Sequence, residues 1–210
     1  RKLNEKFRIA DNPMEASACR DSIVEASGLL KTIAVSLQKI GEDIRWMGSG
    51  PRNGLGELKL PAVQPGSSIM PGKINPVIIE SMLMVCAHVI GNDVAVTMGG
   101  LGSRFELNVM MPLMAHNLLQ SIELLAAAVV NVTDRCLIGL EADADKCQSG
   151  LDRNLSLATA LAPKLGYDLA AAISKKAWEN DTTVREAALE LTELSEEEIN
   201  TILDPGSMTG

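Results

Sequence analysis

A short polar segment near the middle of the chain, residues 66–76 with the sequence GSSIMPGKINP, concentrates side chains that can do chemistry. Ser67 and Ser68 offer adjacent hydroxyls, Lys73 offers a cation, and Asn75 offers an amide that both donates and accepts hydrogen bonds. Such a set suits a small carboxylate, with Lys73 as its charge partner. A surface turn whose serines cap the next helix would use the same residues, and composition alone leaves both interpretations open.

The two serines raise the possibility of base catalysis. A serine can remove a proton only if its alkoxide is stabilised, and backbone N–H groups of a Gly-rich loop can provide that stabilisation, as in an oxyanion hole. Residue spacing does not establish that this happens.

Long helices are predicted on both sides of the polar segment. Asn12 and Pro13 mark a helix start, and the pattern runs to Met47 with seven-residue repeats of apolar residues. Gly and Pro are dense from Gly48 to Asn75, which predicts one long ordered loop. Two further helices are predicted from Pro76 to about Met98 and from about Phe105 to Asp134. The repeats that define the first helix are Ile23, Leu30, Leu37 and Ile44, with a companion row of Ala26, Ile33, Ile40 and Met47.

The chain changes character after about Leu140, where segments become shorter and more acidic. Capping signals occur at Thr183–Glu186 and Ser195–Glu198. We therefore predict an all-α fold, with long helices of a central helical bundle in residues 1–140 and a small C-terminal helical domain in residues 141–210.

Composition excludes several classes of function. The formal charge of −8 and pI near 4.8 argue against a nucleic-acid-binding surface. Polar or glycine residues interrupt each apolar run, so we expect no membrane span and a soluble, unexported protein. The four cysteines lack metal-site spacing, and we expect reduced thiols, no metal and no cofactor.

Residues 66–76 resemble the G-S-S-x-M-P-x-K-x-N-P signature of the fumarase/aspartase superfamily. Other segments resemble class II fumarases in the expected order, so the resemblance covers nearly the whole chain. These segments are residues 33–37 (IAVSL), 48–52 (GSGPR), 54–58 (GLGEL), 91–93 (GND), 105–109 (FELNV) and 166–168 (GYD). Residues 11–16, DNPMEA, depart from the family's usual N-K-F-E-A type of segment.

The resemblance implies a reversible hydration of fumarate to (S)-malate. Ser67 would be the base that removes the C3 proton of malate, and Ser68 would contact the substrate. Lys73 and Asn75 would hold the substrate carboxylate and stabilise the aci-carboxylate that forms. Glu80 matches the acidic residue that pairs with a catalytic histidine in the family, whereas taken alone it would be an ordinary charge in a first helical turn.

The family's catalytic histidine, in a T-H segment, and its S-S-N substrate contacts do not occur in these 210 residues. His88 and His116 fall within predicted long helices and match no catalytic position of the family. We therefore expect this chain to be the C-terminal portion of the enzyme and inactive alone. The family also builds each active site from several subunits of a homotetramer, whose long helices form a shared bundle. The heptad rows of the first predicted helix are consistent with such a bundle.

Two other functions remain open. Aspartate ammonia-lyase shares the loop but expels ammonia, and it usually has alanine at the position of Gly72. A non-enzymatic helical oligomeric scaffold is the second alternative, although packing alone requires none of Ser67, Lys73, Asn75 and Glu80. We expect a cytoplasmic protein, or one of the mitochondrial matrix if the source is eukaryotic.

Overall fold

The computed structural model describes residues 8–208, and helices make up most of that range. The all-α prediction is confirmed, because the strands are only two residues long. The backbone divides into two compact units between Glu141 and Ala142. The first unit contains α1 (Pro13–Ala18), α2 (Asp21–Met47), β1 (Leu58–Lys59), α3 (Val77–Leu101), β2 (Ser103–Arg104), β3 (Leu107–Asn108), α4 (Met111–Val132) and a π-helical turn (Thr133–Leu137), and β4 (Glu141–Ala142) lies at the division.

The first predicted helix begins where expected but is not continuous. Asn12 Oδ1 accepts from the backbone N–H groups of Met14 and Glu15, both at 3.2 Å, so the predicted cap is present. The prediction of one helix from Pro13 to Met47 is wrong, because α1 ends at Ala18 and α2 begins at Asp21. The Arg20 guanidinium donates to carbonyl oxygens at the end of α1, which satisfies them without another helical turn.

A row of small residues on α2 faces α3. Ser27, Ala34 and Gly41 are buried at seven-residue intervals. Ser27 bonds to Asp93 near the middle of α3, whereas Gly41 faces Met82 near its start, so the two helices run antiparallel. A Cβ on Gly41 would lie 2.8 Å from Met82 Cε. Small side chains therefore set the close approach of these helices.

The two predicted heptad rows of α2 differ in burial. Ile44 is buried and Leu37 packs against the core, whereas Ile33 and Ile40 in the companion row are 48% and 50% exposed. The first row thus contributes to the core of this unit, and Ile33 and Ile40 of the second present apolar surface outward.

The predicted boundaries of the next two helices need correction. α3 continues through Gly99 and Gly100 to Leu101 instead of ending near Met98. A Cβ on Gly99 would lie 2.3 Å from Met114 Cγ, so this glycine permits close packing of α4. The helix predicted from Phe105 starts only at Met111, since the antiparallel β2–β3 pair precedes it and Phe105 adopts a φ of +50°.

Helix α3 also carries buried polar residues. The Asp93 carboxylate accepts from Ser27 Oγ at 2.8 Å and from Lys31 Nζ at 2.5 Å. Asn92 donates to Gln120 Oε1 and Ser121 Oγ of α4, both at 3.1 Å. These bonds fix the positions of α2 and α4 along α3.

Two helical segments, Val77–Leu101 and Met111–Leu137, are long and apolar enough to cross a membrane by length and composition. Core helices of soluble proteins meet the same criterion. The polar partners of α3 are those of a helix packed within a protein.

Short helices form the second unit around a core of its own. They are α5 (Ala144–Asp152), a 3-10 helix (Leu155–Leu161), α6 (Ala162–Leu165), α7 (Tyr167–Glu179), α8 (Val184–Leu191), α9 (Glu196–Ile202) and a 3-10 turn (Pro205–Met208). Both predicted capping boxes are confirmed, at the starts of α8 and α9. A hydrogen bond from Lys164, followed by bonds from Ser195, lowers the pKa of Glu198 to about 2.

Candidate active-site loop

The segment 66–76 is closed at its base by two hydrogen bonds. Gly66 N donates to Lys73 O at 2.8 Å, and Asn75 Nδ2 donates to Gly66 O at 2.7 Å. A Cβ on Gly66 would lie 2.4 Å from Lys73 O, so only glycine fits here without moving the backbone. We call this closed base the neck of the loop.

Ser67 is held by its own loop. Its Oγ accepts from Ile69 N at 3.3 Å and from Met70 N at 3.2 Å. Both distances slightly exceed those of a formed oxyanion hole, and a charged oxygen shortens such bonds. The loop therefore places two backbone donors where an alkoxide on Ser67 would need them.

An open depression lies on one side of the loop. Ser67, Met70, Gly72, Lys73 and Ile74 line it, together with the preceding residues 62–65. The structure thus brings a candidate base and a candidate cation to one space. Gly72 has a φ of +78°, a conformation that favours glycine.

The other predicted site residues are placed differently. Ser68 is exposed and does not line the depression. Asn75 is half-buried and does not line the depression either, and one of its amide hydrogens closes the neck.

Glu80 lies in the first turn of α3, directly after the loop. Its Oε1 is 3.5 Å from Nη2 of Arg45, in the last turn of α2. Sequence patterns did not single out Arg45, because only the packing of α2 on α3 brings it to Glu80. The donors from Ile69 and Met70 were likewise missed as individual groups, since backbone N–H groups leave no mark on residue type.

Other reactive groups in the described residues do not form a second site. Among residues 8–208, no cluster of three or more His, Cys, Asp or Glu side chains could hold a metal ion. Burial raises the pKa of the Cys86 and Cys136 thiols, which disfavours reactive thiolates. His88 Nε2 contacts Gln120 Oε1 at 2.8 Å, a contact between α3 and α4.

Comparison with known proteins extends the similarity beyond the loop. Residues 1–91 match the Lyase family, and residues 157–210 match the family described as Fumarase C C-terminus. A class II fumarate hydratase of Thermosynechococcus vestitus is 54% identical over 92% of this chain and 42% of its own length. The mitochondrial fumarate hydratase 1 of Arabidopsis thaliana is 51% identical over 99% of this chain and 42% of its own length.

A solved structure agrees with these matches. The class II fumarase of Schistosoma mansoni superposes with a TM-score of 0.91 at 40% identity, covering 96% of this chain and 42% of that one. The chain therefore belongs to the fumarase/aspartase superfamily of lyases. It spans less than half the length of these relatives. Within the superfamily, it corresponds to the C-terminal portion of a class II fumarase.

Proposed function

We propose that a protein containing this chain is a fumarate hydratase, which hydrates fumarate reversibly to (S)-malate in the tricarboxylic acid cycle. The observation that carries the proposal is the environment of Ser67. Its Oγ accepts from two backbone N–H groups and faces the same depression as Lys73. A surface turn can hold a serine hydroxyl in the same way, but it does not require a cation beside that hydroxyl.

In the malate-to-fumarate direction, Ser67 Oγ takes the proton from C3. The electron pair of the C–H bond moves into the adjacent carboxylate and forms an aci-carboxylate. Lys73 and the free N–H of Asn75 stabilise the added negative charge, and Ser68 contacts the substrate. The hydroxyl on C2 then leaves as water, with a proton supplied by another group.

We assign the supply of that proton to a histidine outside this chain, held by the Glu80 carboxylate. His88 lies on the bundle helix α3 and bonds to Gln120, and His116 lies on α4, so neither takes this role. On this proposal, the 210 residues alone do not turn over fumarate. Hydration of fumarate by the purified chain would contradict this point.

We also propose that the long helices assemble into a homotetramer with active sites shared between subunits. In support, large apolar side chains point outward from all three long helices, including Ile40 of α2, Met84 of α3 and Leu119 of α4. A sedimentation measurement on the intact protein that gave a monomer would refute this assembly.

The same proposal places the protein in the cytoplasm, or in the mitochondrial matrix if the source is eukaryotic. Relatives that bear the mitochondrial name support the second alternative.

We further propose that residues 1–140 and 141–210 are separate domains, and independent folding of residues 141–210 would support this division.

The test is to follow fumarate absorbance with the intact protein, with and without ammonium, and to identify the product. Malate formed without ammonium supports the hydratase. Aspartate formed only with ammonium would indicate an ammonia-lyase, and no product would indicate a scaffold. We expect Ser67→Ala to abolish hydration and Ser36→Ala, an exposed serine on α2, to leave it unchanged.

A further inference from the structure

Arg45 contacts carboxylates from two helices. Its Nη2 lies 3.5 Å from Glu80 Oε1 on α3, and its Nη1 lies 3.7 Å from Glu42 Oε2 on α2. Glu80 follows the loop by one helical turn, and its backbone N–H donates to Pro76 O at 2.9 Å. Arg45 therefore connects the end of α2 to the residue that follows the candidate active-site loop.

The packing of the helices fixes this contact. Gly41 lies one turn before Arg45 and is buried. A Cβ there would lie 2.9 Å from Leu83 Cδ2 and 3.4 Å from Ile79 Cγ2, on either side of Glu80 in α3. Because α2 approaches α3 this closely, the Arg45 side chain, one turn after Gly41, reaches the Glu80 carboxylate of α3.

Stability does not account for the Arg45–Glu80 pair. The two side chains are 47% and 34% exposed, and exposed ion pairs contribute little to folding. A guanidinium nitrogen 3.5 Å from one carboxylate oxygen does, however, attract that oxygen and so favours one orientation of the carboxylate. Contact through Oε1 leaves Oε2 to accept from another donor.

We propose that Arg45 is a positioning residue for catalysis. It holds the Glu80 carboxylate so that Oε2 receives the N–H of the histidine that supplies the second proton. Glu42 Oε2, 3.7 Å from Nη1, is a second carboxylate oxygen near the same guanidinium. This inference rests on the proposed function, because it requires Glu80 to act on a histidine in the assembled site.

The experiment compares Arg45→Gln, Arg45→Lys, Glu80→Gln and the double variant Arg45→Gln/Glu80→Gln in the intact enzyme. Loss of positioning reduces kcat about 10- to 100-fold. We expect that loss for Arg45→Gln with little change in KM, and partial recovery in Arg45→Lys, which keeps the charge but loses the guanidinium. The double variant should be no slower than Glu80→Gln. Lys39→Gln, which breaks an ion pair with Asp43 on α2 alone, should retain full kcat.

The outcomes separate the two proposals. An unchanged kcat in Arg45→Gln, or losses that multiply in the double variant, would overturn the positioning role while the hydratase assignment stands. A wild-type enzyme that does not hydrate fumarate would overturn both. A melting temperature unchanged in Arg45→Gln excludes global unfolding as the reason for a lower kcat.

Discussion

Replacing Gly66 by alanine tests whether the neck of the loop supports catalysis. The new Cβ would lie 2.4 Å from Lys73 O, 2.8 Å from Lys73 C and 3.0 Å from Asn75 N. All three are backbone atoms, so a side-chain rotation does not relieve the overlap. The neck must open, which removes the hydrogen bonds from Gly66 N to Lys73 O and from Asn75 Nδ2 to Gly66 O.

Each such bond contributes about 1 kcal/mol, so closing the neck becomes about 2 kcal/mol less favourable. That free energy corresponds to about a 30-fold smaller equilibrium constant for closing the loop. We expect kcat for fumarate hydration to fall by about the same factor, because Ser67 and Lys73 lie within the segment that the neck closes. The melting temperature should change little, since the loop lies at the surface.

Gly72→Ala is the matched control. No atom lies within 4 Å of its Cβ position, so only the left-handed backbone opposes the change. That strain costs about 1 kcal/mol, which corresponds to about a fivefold loss. If Gly66→Ala lost no more activity than Gly72→Ala, or if its loop amides kept their protection from hydrogen exchange, the role of the neck would be refuted.

Three further predictions concern stability. Gly41→Ala should lower the free energy of unfolding in urea by less than about 1 kcal/mol. The new methyl group overlaps the side-chain ends of Met82 and Leu83, but the higher helix propensity of alanine offsets part of that cost, and a raised midpoint would contradict the overlap. Lys31→Ala should lower the free energy of unfolding by about 2 kcal/mol in the same assay, since the buried Asp93 loses a charged hydrogen bond. An unchanged free energy of unfolding would contradict a stabilising role for this bond. The pKa of Glu198 is lowered from 4.5 to about 2, so the ionised carboxylate stabilises the fold above pH 4.5 and this stabilisation is lost as the pH falls towards 2. In Glu198→Gln, the melting temperature should therefore decrease less between pH 4.5 and pH 2 than in the unchanged protein.

Local signals in the sequence predicted several helix starts correctly. Asn12, Thr183 and Ser195 cap helices as expected, because a cap depends on residues within one turn. The sequence also predicts the candidate active-site loop, since its functional residues are contiguous. The sequence does not predict the hydrogen bonds inside that loop, because residue spacing does not give the direction of a backbone N–H.

The incorrect boundaries arise from longer-range contacts. Gly99 and Gly100 suggested a helix end, yet Gly100 lies where a Cβ would meet Val24 of α2 at 2.9 Å, so both glycines accommodate neighbouring helices. The β2–β3 turn contains Phe105, a residue type that gives no turn signal. The contact between Arg45 on α2 and Glu80 on α3 joins two helices, and no local sequence pattern predicts such a pair.

The row of Ser27, Ala34 and Gly41 restricts how the sequence of α2 can diverge in evolution. Along that line, the volume of a side chain decides whether a substitution is acceptable, and residue 27 must in addition donate a hydrogen bond to Asp93. Mutational tolerance on α2 should therefore repeat every seven residues, with size-increasing changes rejected at these three positions. Divergence of the helix must then accumulate on its other faces, while the separation of α2 from α3 stays constant.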